Sequence, residues 1–340
     1  MASGRQDARL SDTRLEVPAP AKVNLFLEVL GRRADGFHEL ETLMAPVELG
    51  DTLCIRRRSD RRLRVHCEWT AGRRAIGPSP IWEPLPGGEA NLVFRALRDF
   101  RQATAVSAGM DVTIAKRIPA AAGLGGASSN AAAALVAANV LWKTGWHPPD
   151  LTAWSARVGS DVPFFTNPTA AICRGRGEAI EPLDAPRPLW LVIVRPPAGL
   201  ATADIYRQCR PPAGRAPPRS VDAIRDALCR GDPQEVARQL FNRLQPAAER
   251  QSPWIARLRD AFQRTDCLGH QMTGSGSCYF GICRHQGHAR RVAARLAAAK
   301  LGAVFVTATL GTRMAPAANH LTEEHHANHR GSHQTDGEDG

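Results

Sequence analysis

Two glycine-rich segments contain the residues best suited by type and spacing to bind an anion. The first is Gly123 to Leu135, GLGGASSNAAAAL, and the second is Met272 to Gly281, MTGSGSCYFG. Glycine admits backbone conformations closed to other residues, so successive N–H groups can converge on a phosphate, and a following helix adds its positive end. Taken alone, the first segment is equally compatible with a turn before a serine-capped helix, and the second with a tight turn between strands. Two such loops in one chain favour a shared polyanion at a domain interface.

The two common nucleotide-binding patterns are absent from this sequence. The P-loop pattern G-x-x-x-x-G-K-[ST] does not occur, and neither glycine segment contains G-x-G-x-x-G. Any phosphate site here therefore belongs to another fold.

A lysine and an aspartate outside the glycine segments have the chemistry for proton transfer and charge stabilisation. Lysine is scarce, with four residues against 40 arginines, so Lys22 suggests a site that needs a compact point charge. Asp161 lies in GSDVPFF, at the end of a predicted helix and before an apolar run that contains a proline. Considered alone, it is equally well explained as a turn aspartate.

The element that must position Lys22 is a strand. Residues 22–30, KVNLFLEVL, alternate with a period of two. The alternation places Val23, Leu25, Leu27 and Val29 on one face, and Lys22, Asn24, Phe26 and Glu28 on the other. Asp35-Gly36 is a turn signal that predicts a hairpin, which returns Phe37 and His38 toward the strand.

The remaining elements alternate helices with short strands. Asn91 to Gln102 has helical periodicity, Val112 to Ile114 reads as a strand, and a helix is expected from an N-cap at Ser128 or Ser129 to Gly145. The second half is expected to hold helices 221–230, 234–249, 253–263 and 287–299, with strands 271–272, 278–283 and 303–308. Helices packed on a small sheet follow from this pattern.

Composition limits the class of protein. The chain has 340 residues, a formal net charge of +11, and eight cysteines without any C-x-x-C pair. We therefore expect free thiols and no zinc site, and the absence of a long apolar run predicts a cytoplasmic protein without membrane association. The charge suits nucleic acid, a nucleotide or a phosphorylated substrate, but the arginines are spread along the chain rather than gathered in one stripe.

Three segments together resemble the motifs of the GHMP small-molecule kinase superfamily. They are Pro20–Leu25 (PAKVNL), Pro119–Ser129 (PAAAGLGGASS) and Thr273–Cys278 (TGSGSC), in the family's order. With the 35–38 hairpin and GSDVPFF, the similarity extends to the branch that phosphorylates the 2-hydroxyl of a cytidine-diphosphate-linked methylerythritol in isoprenoid precursor synthesis. It covers roughly residues 17 to 313.

The resemblance implies an α+β fold with two domains and an active site in the cleft between them. Residues 17–190 would form an ATP-binding domain like domain 2 of ribosomal protein S5, and residues 191–313 a ferredoxin-like α/β domain. Residues 1–16 are expected to be flexible, and 314–340 a disordered, histidine-rich polar tail. The implied partners are ATP, Mg²⁺ and the cytidine-linked substrate, with no nucleic acid or membrane, in a monomer or homodimer.

The same resemblance assigns roles by position. It makes Asp161 the catalytic base and Lys22 its neighbour. It places ATP at Asn91, Pro119, Gly123, Leu124, Gly125, Gly126, Ala127, Ser128 and Ser129, with Mg²⁺ at Ser128 or Ser129 through the nucleotide. It places the substrate at Asn24, Phe37, His38, Tyr206, Thr273, Gly274, Ser275 and Gly276, with His38 at the cytosine and Phe37 and Tyr206 stacked on it.

The chain departs from the family pattern at four positions. Phe37 replaces a usual tyrosine, Ser160 an alanine, Ala127 a glycine, and Arg243 follows an asparagine where an acidic residue is common. Phe37 keeps a stacking face, Ala127 brings a methyl group close to phosphate, and Arg243 puts only an ATP-side or helix-capping detail in doubt. Two alternatives stay open at this stage: another GHMP kinase acting on a mevalonate-like alcohol, homoserine or a sugar, and an inactive basic nucleic-acid-binding protein on the same scaffold.

Overall fold

The computed structural model describes residues 14–70, 85–185, 187–210 and 220–311. Of the segment 1–16 expected to be flexible, residues 1–13 lie outside these ranges, as does the tail 314–340, whereas residues 14–16 are described and belong to the first strand. Within them the chain forms two sheets with helices packed around them. The strands are β1 (Arg14–Arg32), β2 (His38–Arg58), β3 (Leu63–Trp69), β4 (Gly109–Lys116), β5 (Ala171–Gly175), β6 (Ala179–Pro182), β7 (Trp190–Arg195), β8 (Phe241–Asn242), β9 (Gly269–Met272), β10 (Tyr279–Cys283) and β11 (Ala303–Ala308).

The helices surround these sheets, and a short 3₁₀ turn at Gly88–Ala90 precedes the first of them. They are α1 (Leu92–Ala103), α2 (Gly126–Leu141), α3 (Pro148–Ser155), α4 (Val162–Thr166), α5 (Thr202–Gln208), α6 (Asp222–Arg230), α7 (Pro233–Arg238), α8 (Gln245–Gln251), α9 (Pro253–Gln263) and α10 (Gln286–Ala298). None of the helices in the described ranges is long and apolar enough to cross a bilayer. The eight cysteines are all free thiols, as expected.

The first sheet is built on the long β1–β2 hairpin. Its order is β3-β4-β2-β1-β8, and β5 pairs with both β2 and β6. The predicted turn is confirmed, since Arg32 pairs with His38 in antiparallel register across it. The second sheet has the order β11-β7-β10-β9, and all its pairings are antiparallel.

The simple alternation expected along β1 is wrong at Leu25. Asn24 pairs with Met44 and Phe26 with Leu43, so Leu25 is the extra residue of a β-bulge. A bulge reverses the sense of alternation, and Phe26 consequently lies in the same apolar cluster as Val23 and Leu25. The strand is buried on both faces here: Val23, Leu25 and Phe26 share a cluster with Ile193 and Phe280 of the second sheet, and Leu27 and Val29 share another with Val192 and Val194.

The helix predicted over 234–249 is two helices separated by a strand. After α7, residues Phe241 and Asn242 pair in parallel with Phe26 and Leu27 of β1, and α8 begins only at Gln245. The second half of the chain therefore contributes a strand to the first sheet. The predicted boundary at 190/191 falls at the start of β7 and stays a prediction.

The helix after the first glycine loop begins earlier than expected. Gly125, with φ +72°, occupies the N-cap position, so neither Ser128 nor Ser129 caps the helix. The left-handed backbone at Gly125 turns the chain into α2 in a single step, which leaves both serines in its first turn.

Candidate active site

The two glycine loops contact each other directly. A β-carbon at Gly123 would lie 2.4 Å from the carbonyl oxygen of Thr273 and 3.0 Å from that of Gly276. The backbone N–H of Cys278 donates to the carbonyl of Ala122 at 3.2 Å. Only glycine permits this approach at Gly123, where φ is +73°, so the convergence predicted for the loops occurs in the fold.

The first loop lines a cavity of about 350 Å³ at the start of α2, here called the loop cavity. Helix-start N–H groups and the positive end of the helix dipole make such a place suitable for phosphate. Its wall includes the predicted residues Asn91, Pro119, Gly123, Leu124, Gly125, Gly126, Ala127 and Ser128. Ser129 lies behind the wall, and its buried hydroxyl oxygen has no partner among the described residues.

Asn91 lines this cavity and also caps helix α1. Its side-chain oxygen accepts from the N–H of Val93 at 2.9 Å and so caps α1, while its amide donates to the carbonyl of Pro86 at 3.0 Å. Ala127, the departure that brings a methyl group toward phosphate, is exposed at the first turn of α2.

Lys22 and Asp161 form the one candidate catalytic pair predicted from sequence, and they lie together. Lys22 Nζ is 3.8 Å from Asp161 Oδ2 and donates to Asn24 Oδ1 at 2.6 Å. The Lys22 side chain is 5% exposed and that of Asp161 is 36% exposed, so the carboxylate remains open to the cleft. Asp161 does not end a helix as expected, but precedes the five-residue α4 at its N-cap position.

Asn24 links the strand to the second glycine loop. Its backbone N–H donates to Thr273 Oγ1 at 3.0 Å, and its amide donates to Thr42 Oγ1 at 2.8 Å. The N–H of Lys22 donates to the carbonyl of Leu124 in the first loop at 3.0 Å. These bonds fix Lys22 between both loops, because the strand that carries it is anchored to each.

Aromatic side chains form the opposite end of the site. The ring centres of His38 and Tyr206 are 5.1 Å apart. Phe37 is 49% exposed, and the guanidinium of Arg176 lies over its ring, 4.9 Å from the ring centre. Burial and the charge of Arg32 hold the pKa of His38 below its usual value. Burial, with the negative charge of Asp161 adding to it, raises the pKa of Tyr206, so its phenol stays protonated.

These aromatic residues belong to a cleft of about 940 Å³, here called the aromatic cleft. Predicted residues in its wall are Lys22, Asn24, Phe37, His38, Asp161, Tyr206, Gly274 and Ser275. Gly123 and Gly125 line both the aromatic cleft and the loop cavity, so the two spaces share a wall beside Lys22. Thr273 and Gly276 are not in the wall of either space; Thr273 is fully buried against Asn24.

Several residues of the site were not singled out from the sequence. Lys116 lines the loop cavity and forms a buried ion pair with Asp51, whose other oxygen accepts from the N–H groups of Arg117 and Ile118 at 2.7 and 2.8 Å. Because lysine is scarce in this sequence, its presence at position 116 could have marked Lys116 as a candidate site residue. Arg32, Arg176 and Arg207 line the aromatic cleft, but among 40 arginines nothing distinguished them.

Arg243, one of the four departures from the family pattern, forms an ion pair with a buried carboxylate. The side chain lies away from the loop cavity and forms two hydrogen bonds, of 2.6 and 2.7 Å, with the fully buried Glu28 of β1. Asn242 Oδ1 accepts from the N–H of Leu244, the N-cap residue of α8, at 2.9 Å. A basic residue follows the asparagine here because a buried carboxylate stands opposite it.

The residues present suit a magnesium nucleotide more than a metal held by protein alone. Among the described residues no group of three His, Cys, Asp or Glu side chains could hold an ion. The first turn of α2 instead offers the Ser128 hydroxyl in the cavity wall, the unpartnered Ser129 hydroxyl and the unpartnered Asn130 Oδ1. Such oxygen atoms match the preference of Mg²⁺, which binds largely through phosphates and water.

Comparisons with known proteins agree with this geometry. The family model described as GHMP kinases N terminal domain matches residues 91–168, and that described as GHMP kinases C terminal matches residues 224–301. The chain is 41% identical over 278 residues to a 4-diphosphocytidyl-2-C-methyl-D-erythritol kinase of Pelotomaculum thermopropionicum, covering 82% of this chain and 92% of that one. A kinase with the same name from Pseudomonas paraeruginosa is 37% identical over 283 residues, or 83% and 90% of the two chains.

Solved structures show the same pattern. A crystal structure of 4-(cytidine 5'-diphospho)-2C-methyl-D-erythritol kinase matches with a TM-score of 0.70 and 35% identity, over 87% of this chain and 99% of that one. A homoserine kinase from Cytophaga hutchinsonii matches with a TM-score of 0.67 and 19% identity, over 88% and 95%. The second likeness concerns the fold alone.

Proposed function

Because this chain belongs to the 4-diphosphocytidyl-2-C-methyl-D-erythritol kinase family of GHMP kinases, we propose that it transfers the γ-phosphoryl group of ATP to the 2-hydroxyl of 4-diphosphocytidyl-2-C-methyl-D-erythritol. This reaction belongs to the synthesis of isoprenoid precursors. ATP is the phosphoryl donor of the family.

The observation that carries the proposal is the position of Lys22 and Asp161 beside the wall shared by the loop cavity and the aromatic cleft. Phosphoryl transfer depends on positioning and charge neutralisation rather than on covalent chemistry by the protein. Asp161 is the open carboxylate that accepts the proton of the attacking hydroxyl. Lys22, whose Nζ lies 3.8 Å from Asp161 Oδ2, stabilises negative charge that develops on the transferring oxygens.

The loop cavity is the proposed site for the nucleotide. The start of α2 and the N–H groups of Gly125 and Gly126 face the phosphates, and the ammonium of Lys116, which is paired with the buried Asp51, offers a further hydrogen-bond donor in the wall. Ser128 or Ser129 would supply a hydroxyl oxygen to Mg²⁺ that arrives with ATP, and the ion would neutralise phosphate charge there; of the two, Ser128 lies in the cavity wall.

The aromatic cleft is the proposed site for the cytidine end of the acceptor. His38 is neutral near pH 7 because its pKa is lowered, so its ring offers one donor and one acceptor to a base edge. Tyr206 and Phe37 offer faces for stacking, and Arg32, Arg176 and Arg207 provide positive charge for the diphosphate.

An ADP-release assay with Asp161→Asn tests the proposed base. We expect wild-type protein to turn over the cytidine substrate and the variant to lose about 100-fold or more in kcat, since general base catalysis contributes at least that much. Asp150→Asn, an exposed aspartate in the first turn of α3, is the matched control and should retain full activity.

A substrate panel tests the specificity. Mevalonate, homoserine and galactose should each give a kcat/KM far below that of the cytidine substrate, because none of them fills the aromatic end of the cleft. Phosphorus NMR of the product should locate the new phosphate on the 2-hydroxyl. A non-cytidine alcohol as the best substrate, or near wild-type turnover by Asp161→Asn, would refute the assignment.

A further inference from the structure

Arg195 is a fully buried cation at the end of β7. Its side chain is among the largest in the protein that are completely inaccessible to solvent. Arginine is rarely buried without a charged partner, because moving a guanidinium out of water is costly. The groups around Arg195 must therefore compensate for the loss of water around its charge.

The guanidinium joins three segments that meet at the site. Nη1 donates to the carbonyl of Ala198 at 2.7 Å and to Ser277 Oγ at 2.8 Å, and it is 2.5 Å from the carbonyl of Pro196. Nη2 is 3.4 Å from the carbonyl of Ala120. Ala120 lines the loop cavity, Ser277 belongs to the second glycine loop, and the turn after Arg195 leads into α5, which contains Tyr206.

No negative charge neutralises this cation in the described part of the chain. Its contacts are to carbonyl and hydroxyl oxygens, none of the ion pairs among residues 14–70, 85–185, 187–210 and 220–311 includes it, and its Nε is buried without a hydrogen-bond partner. Glutamine or a water molecule would join such carbonyls without a buried charge. The positive charge therefore suggests an anion that arrives with a ligand.

We propose that Arg195 is a positioning residue that holds both glycine loops in register and places an uncompensated positive charge behind the phosphate-binding wall of the loop cavity. The inference rests on the proposed function, since the anion it requires is the polyphosphate of ATP. Bound polyphosphate faces the loops from the cavity side, and Arg195 faces them from the protein interior. Arg195 influences binding of the alcohol substrate only through the turn that leads to α5.

The test measures nucleotide affinity first, without any alcohol substrate. Arg195→Met should weaken ATP binding by about tenfold, ADP less, and adenosine by less than twofold, because the loss follows the charge of the phosphates. Arg195→Lys should keep this dependence on phosphate number, since it keeps the charge, but should lower kcat because the fork that joins the loops is lost. Isothermal calorimetry with magnesium salts of the three ligands measures the affinities.

Leu296→Ala is the control for stability. This substitution, in α10 on the far side of the second sheet, removes buried apolar volume and should lower the melting temperature without changing the order of nucleotide affinities. Equal weakening of ATP and adenosine in Arg195→Met would show a merely structural role, and unchanged affinities with unchanged kcat in the folded variant would overturn the proposal.

The binding measurements also separate this inference from the proposed function. A wild-type protein that binds ATP but leaves the cytidine substrate unphosphorylated would refute the proposed reaction, while the charge-dependent loss in Arg195→Met would still stand.

Discussion

Lys22 and Asp161 are in contact, but they occupy unequal surroundings. Lys22 is almost completely buried and is held by Asn24 Oδ1, whereas Asp161 faces the cleft and has no hydrogen bond from its side chain among the described residues. A base that must approach a substrate hydroxyl benefits from such freedom, and a point charge that must stay fixed benefits from burial. Lysine suits this narrow space better than arginine, whose planar fork needs two aligned acceptors.

The lowered pKa of His38 predicts how kcat/KM depends on pH. The lowered pKa keeps the ring neutral at and above its usual value of about 6.5, so kcat/KM for the cytidine substrate should be flat there and should fall only at lower pH. Protonation replaces the ring acceptor with a second donor and so removes one bond to the base. A pH profile of kcat/KM between about pH 5.5 and 8 measures this.

His38→Gln is the matched variant for that profile. Glutamine keeps a donor and an acceptor but does not titrate, so its kcat/KM should be lower overall, without the wild-type fall below pH 6.5 that His38 causes. The same fall in both proteins would assign the titration to another group.

At the scale of single elements, the start of α2 depends on Gly125. A β-carbon there would lie 2.7 Å from Phe165 Cζ, and the φ of +72° is itself unfavourable for alanine. We expect Gly125→Ala to lose roughly 1–3 kcal/mol of stability through backbone strain and to weaken ATP binding by more than tenfold, because the helix start is displaced. Chemical denaturation and nucleotide titration measure the two effects.

Gly145 provides the control for this substitution. Its φ is +73°, and a β-carbon there would meet nothing within 4 Å. Gly145→Ala should therefore show the backbone strain without the loss of ATP affinity. Equal ATP affinities in the two variants would contradict the role given to Gly125.

Glu28 and Arg243 join β1 to β8, and breaking this pair should be costly. Arg243→Ala leaves Glu28 buried without its partner, and we expect a loss of about 3 kcal/mol, at the low end for a buried pair because Arg243 is 28% exposed. Replacing both residues with glutamine should recover most of that loss. Urea unfolding of the single and double variants measures the coupling, and simple additivity would argue against it.

The elements that sequence predicted correctly are those whose signals are local. The hairpin follows from the turn signal Asp35-Gly36, and helix α1 follows from the helical periodicity after Asn91. The strand β8 does not, because Phe241 and Asn242 become a strand only by pairing with β1, which is more than 200 residues earlier. The bulge at Leu25 is likewise fixed by packing against a partner strand, which no alternation of residue types reveals.

At the scale of the molecule, the site residues were recognisable as motifs, but their arrangement was not. The contact between the glycine loops and the burial of Arg195 depend on how the two sheets approach each other. One apolar cluster contains Val23 and Leu25 of the first sheet together with Ile193 and Phe280 of the second. Strands of the first and second sheets therefore share one core. The periodicity of residue types within each half of the chain does not reveal this.

This shared core predicts cooperative unfolding of both halves. Calorimetry should show a single transition for the described body of the protein, because separating the halves exposes that cluster. A non-hydrolysable ATP analogue at 100 times its Kd should raise the stability of the whole transition by about 2.7 kcal/mol. Two transitions, with only one shifted by the analogue, would show that the halves unfold independently.

The wall shared by the two spaces has a consequence for inhibition. Gly123 and Gly125 border both the loop cavity and the aromatic cleft, and neither glycine has a side chain that would separate them. One molecule that carries an adenosine at one end and a cytidine at the other can therefore occupy both spaces through a short polyphosphate bridge. Joining the two halves makes the second binding step intramolecular, so a bisubstrate ligand should exceed the affinity of either half by about 10²–10⁴-fold.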